Sequence, residues 1–100
     1  MKIEIVQHNG LYGQLDMTME ECAELIQACN QYKRAMGKGQ ATMTTPDEAM
    51  EKLITEIAHV QNCIYSLKFL LPVNNRLIRK RISESDKKCI KVKRVKEGDC

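Results

Sequence analysis

Two runs of apolar residues at three- and four-residue spacing, separated by a short polar loop, restrict this chain to helical folds. The first run is Met17, Cys22, Leu25, Ile26, Cys29, Tyr32 and Met36; the second is Met50, Leu53, Ile54, Ile57, Val60, Ile64 and Leu67. Such spacing lines one side of an α-helix, whereas a strand face repeats every two residues. Gly37 and Gly39 close the first run, as glycine does just past a helix end. Residues 37–44 read as a polar loop. Thr45 then offers an N-cap, Pro46 the first helical position, Asp47 an acid in the first turn and Glu48 the partner of a capping box. Pro72 stops the second helix near residue 70 or 71. The first helix is expected over residues 14–36, started by Asp16, or by Thr18 with Glu21 as its capping-box partner.

The flanks are less regular. In residues 1–13, Ile3 and Ile5 alternate like a short strand and Asn9-Gly10 reads as a turn. An arm packed on the helices fits equally well. A third, basic helix is expected over residues 74–88, with Leu77, Ile78 and Ile82 as its apolar contacts. Residues 89–100 form a basic tail, either loose or weakly strand-like. The domain division is therefore an arm (1–13), a helical domain (14–88) and a tail (89–100). Helices joined by a short loop pack antiparallel. The fold class is all-α, an antiparallel hairpin plus a short third helix. One hundred residues make a thin core, and these helices alone cannot cover both stripes, so association of at least two copies is expected.

Composition narrows the function classes. The chain is 43% hydrophobic and 29% charged, as a globular protein is. Three Tyr, one Phe and no Trp leave little for stacking bases. Nucleic acid is thus not the expected partner, although Arg76–Lys96 is strongly basic. That run reads first as a solvated face and a frayed tail. No apolar run approaches the length of a membrane span, and MKIEIVQHNG has no apolar core of a signal peptide. The five cysteines, at 22, 29, 63, 89 and 100, contain no C-x-x-C pair. Reduced thiols, mostly in the core, and a cytoplasmic location follow as expectations. His8 is expected to be exposed, and the methionines to fill core or loop.

The acids beside the stripes carry the chemistry. Glu21 and Glu24 share one face of the first helix, with Glu21 about 40° from Leu25 and about 20° from Tyr32. On the second helix, Glu56 and His59 repeat that spacing, with Glu56 about 40° from Val60 and about 20° from Leu67. In an antiparallel hairpin the two pairs can converge. Three carboxylates together repel unless a cation neutralises them, and hard oxygens suit Mg²⁺. The plainer readings are a capping-box role for Glu21, surface charge for Glu24 and Glu56, and a locally hydrogen-bonded His59.

Met19–Ala28 (MEECAELIQA) and Thr55–Val60 (TEIAHV) resemble the MazG-like motif E-E-x-x-E followed by E-x-x-D. The similarity spans residues 14–71, with Glu20, Glu21, Glu24 and Glu56 matching and His59 standing where the family has Asp. The resemblance implies a four-helix bundle built by a homodimer or homotetramer. It also implies metal-dependent hydrolysis of a (deoxy)nucleoside triphosphate to the monophosphate and pyrophosphate. Glu21, Glu24, Glu56 and, by position, His59 would be its metal ligands, and Glu20 would orient or deprotonate the attacking water. Lys38, Arg76 and Arg79 are candidates for the phosphates on charge and position. Imidazole is a poor Mg²⁺ ligand but suits softer divalent metals. His59 therefore points to Mn²⁺ as an alternative to Mg²⁺, or to a helical binding or regulatory module with impaired catalysis.

Overall fold

Three α-helices follow one another in the computed structural model: α1 (Ile3–Ala35), α2 (Pro46–Leu70) and α3 (Asn75–Lys96). The structure describes the backbone of residues 3–96 and the side chains of residues 10–90. His8 and Cys100 lie outside the described side chains. The opening segment is neither strand nor separate arm. It is helical from Ile3, interrupted at Gly10, where φ 69° and ψ 178° break the helical backbone. Only glycine adopts such a φ at little cost, so the turn expected at Asn9-Gly10 becomes a kink inside α1. Neither Asp16 nor Thr18 starts a helix. Thr18 lies within α1 and its hydroxyl donates back to the Gln14 carbonyl at 2.8 Å. The capping-box role for Glu21 falls with it.

The other punctuation acts as its chemistry dictates. At the end of α1, Lys38 N–H donates to Lys33 O and Gly37 N–H to Arg34 O, both at 3.0 Å. Gly37 supplies the positive φ that this closure requires. Arg34 then donates to Gln40 O (3.2 Å) and Ala41 O (2.9 Å), while the Gln31 amide donates to the Thr42 and Thr44 hydroxyls. One turn of α1 thereby fixes the loop. Thr45 caps α2 with both halves of the capping box formed and Pro46 behind it. Beyond Pro72, the Asn74 side chain accepts from Arg76 N–H (2.9 Å) and Leu77 N–H (3.2 Å) and opens α3. The residues expected to begin a loose tail continue that helix to Lys96.

α1 and α2 form the hairpin. Its seam is narrower than the apolar stripes suggested. The buried residues are Gln14 and Ala28 on α1 and Ala49, Glu56, Cys63 and Ser66 on α2. Ala49, Glu56 and Cys63 fall seven apart, with half-buried Leu53, Val60 and Leu67 between and after them. This alternation of three and four marks a coiled-coil-like seam. The matching positions on α1 are Gln14, Thr18, Glu21, Leu25, Ala28, Tyr32 and Ala35.

Much of each stripe lies one residue past the seam and is exposed: Ile26 and Met36 on α1, and Met50, Ile54, Ile57 and Ile64 on α2. Cys22 and Cys29 share that position and are exposed, so of the described cysteines only Cys63 is in the core. Each step along a helix turns it by about 100°. In an antiparallel pair, the positions one step after each seam residue therefore turn toward the same side of the hairpin. Positions one step before, including Met17, Glu20, Glu24, Lys52, His59 and Asn62, turn toward the other. The hairpin has an apolar face and a polar face.

α3 packs along neither α1 nor α2 and leaves Leu77, Ile82 and Ile90 exposed. Among the described residues, no helix is long and apolar enough to cross a membrane.

Candidate metal centre

The polar face carries the four residues singled out by spacing. Glu21 and Glu24 from α1 and Glu56 and His59 from α2 each offer a ligand atom, all within 4.8 Å of one another. The helices meet in a register that sets Glu21 opposite His59, whose Nδ1 lies 3.1 Å from Glu21 Oε2. The contact is a hydrogen bond in the tautomer that carries the proton on Nδ1, with the carboxylate accepting. His59 therefore joins the two helices rather than making a bond local to α2. It also lies 3.6 Å from Glu56 Oε2, too far for a hydrogen bond.

Glu56 is the seam residue of the group, only 1% exposed. Its Oε1 receives the Lys52 ammonium at 2.7 Å, while its Oε2 is buried without a hydrogen-bond partner. Lys52 went unremarked in the sequence reading, although it stands four residues before Glu56, the spacing at which opposite charges pair on a helix. The Lys52 hydrogen bond holds the Glu56 carboxyl below its ordinary value against the opposing effect of burial. Glu24 is displaced the other way. The negative charge of Glu21, and then that of Glu56, holds its carboxyl above the ordinary value.

A cavity of 220 Å³ opens beside the cluster, lined by Met17, Glu21, His59, Asn62 and Cys63. Met17, Asn62 and Cys63 extend the site beyond the acids. Their place follows from the seam register, which the merged apolar stripes concealed. Burial pushes the Cys63 thiol up, keeping it protonated.

Glu20 is exposed one turn before Glu24 on the same face and is not among the four converging residues. Lys38 lies in the loop between α1 and α2, while Arg76 and Arg79 lie on α3 beyond the other end of the hairpin. From Glu56 to Pro46 alone is about 15 Å of helix. One chain thus brings none of these three to the cluster.

The donor set fits a divalent cation. It comprises three carboxylates and an imidazole, and one oxygen of the Glu56 carboxylate is buried without a hydrogen-bond partner among the described residues. Comparison with known protein families, curated proteins and solved structures finds no match to this chain.

Proposed function

We propose that the chain is a metal-dependent hydrolase that cleaves a (deoxy)nucleoside triphosphate to the monophosphate and pyrophosphate. The observation that carries this reading is that Glu21, Glu24, Glu56 and His59 bring ligand atoms within 4.8 Å of one another, beside a buried, unpartnered Glu56 oxygen. The substrate class comes from the resemblance of residues 14–71 to the MazG-like family. A bound divalent cation would polarise a phosphoryl oxygen and acidify a water. Glu20, on the same face, would orient or deprotonate that water. The apolar face would meet a second copy to complete a four-helix bundle in the cytoplasm. Lys38, Arg76 and Arg79 would serve the phosphates only where that second copy brings them to the cluster.

Pyrophosphate release from a panel of ribo- and deoxyribonucleoside triphosphates, with Mg²⁺ and with Mn²⁺, tests this reading. Release above the metal-free control is expected, greater with Mn²⁺ because an imidazole stands in the donor set. No release from any triphosphate with either metal rejects it.

The His59–Glu21 contact favours a second reading, a helical binding or regulatory module with impaired catalysis, because the imidazole itself joins α1 to α2. His59→Asp separates the two. A hydrolase gains a hard oxygen ligand, so Mg²⁺ affinity rises by about tenfold or more and hydrolysis rises with it. A module held together by His59 loses stability and gains neither.

A further inference from the structure

We propose that Lys52 takes the place of a second divalent cation, so that the cluster binds a single metal ion. The inference rests on the reading that the cluster is a metal centre. Two-metal hydrolytic sites set their ions roughly 3.5–4 Å apart and stabilise both the attacking and the leaving oxygen. To hold two ions so close, a carboxylate in the middle of the site commonly has to offer both its oxygens. Glu56 is the only fully buried carboxylate of the four residues and the one that could play this part. Its two oxygens are already divided. Oε2 is buried without a hydrogen-bond partner, 3.6 Å from His59 Nδ1, whereas Oε1 is held at 2.7 Å by the Lys52 ammonium.

Charge leads to the same count. Glu21, Glu24 and Glu56 bring three negative charges, and Lys52 returns one positive charge. With His59 neutral, the deficit equals the charge of one divalent ion. In the absence of substrate, a second ion would sit within a few ångströms of both the first ion and the ammonium, with none of the three clustered carboxylates left to offset it. Lys52 stands on the polar face one turn before Glu56, and His59 one turn after it, so one short segment of α2 supplies a cation, a carboxylate and an imidazole in succession. Lys52 itself is a positioning residue. It fixes which Glu56 oxygen faces the cluster and touches neither metal nor substrate.

The test is titration of the full chain with Mn²⁺ alone, reading stoichiometry by equilibrium dialysis and ion separation by electron paramagnetic resonance. Wild type is expected to bind one ion per chain with the resolved hyperfine lines of an isolated Mn²⁺. Lys52→Met is expected to take up a second ion, with affinity at least about tenfold above any second step in wild type, and to give the broadened spectrum of a coupled pair. Lys52→Arg is expected to return to one ion. The Lys52 side chain is 58% exposed but pairs with the buried Glu56 carboxylate, so circular dichroism with and without Mn²⁺ checks that Lys52→Met is folded, and Lys52→Arg keeps the pair. Two coupled ions in wild type overturn the inference while leaving the metal centre standing. One ion in both wild type and Lys52→Met also overturns it. Absence of bound Mn²⁺ in every protein rejects the metal centre and the inference together.

Discussion

Glu56 and Glu24 are pulled in opposite directions by the same cluster, and each leaves its mark on stability. Glu24 binds its proton more tightly in the folded chain because Glu21, and then Glu56, repel its charged form. This group therefore disfavours folding at neutral pH, and the penalty fades as pH falls through the raised value and is gone below the ordinary carboxylate value. Glu56 behaves conversely. Its lowered value, set first by Lys52, contributes stability above the ordinary carboxylate range, lost as pH falls through the lowered value. Without metal, Glu24→Gln should raise the urea midpoint at pH 7, and the gain should vanish near about pH 4. A midpoint unchanged at both pH values would mean that the acids do not repel each other. Helical spacing together with the resemblance to the MazG-like motif singled out the four convergent residues. It did not reveal Lys52, because a lysine four residues from a glutamate is also the commonest surface pair on a helix.

At the level of elements, sharp local chemistry was readable and merged signals were not. Thr45, Pro46 and Glu48 can do little but start a helix, and both capping-box bonds form. Thr45→Ala should cost about 1 kcal/mol of stability, visible as a lower urea midpoint, with Thr45→Ser restoring most of it. An unchanged midpoint would show that the Gln31 and Arg34 bonds to the loop suffice without the cap. The apolar stripes misled because each combines two adjacent rows. Leu25 and Ile26, or Leu53 and Ile54, are neighbours in sequence, but only the first of each pair lies at the seam. The alternating Ile3 and Ile5 similarly hid a helix whose only interruption is the Gly10 kink.

The whole molecule is not closed around a core. Its radius of gyration is 17.6 Å, against about 13 Å for a compact chain of this length. α3, which packs along neither hairpin helix, lengthens the molecule, and the exposed row of Ile26, Ile54, Ile57 and Ile64 on one side of the hairpin is the face a second copy would cover. Light scattering at micromolar concentration should give at least a dimer, and Ile57→Lys should shift it toward monomer. A wild-type monomer would leave that face without its proposed partner. Folding the hairpin would set Glu21 and Glu24 of one helix against Glu56 and His59 of the other as a divalent-cation site. The most direct measurement is calorimetric titration of Mn²⁺ into wild type, Glu24→Gln and Glu56→Gln. Saturable binding in wild type, weakened about tenfold or more in either variant, is the predicted result. Equal heats in all three proteins would contradict the claim.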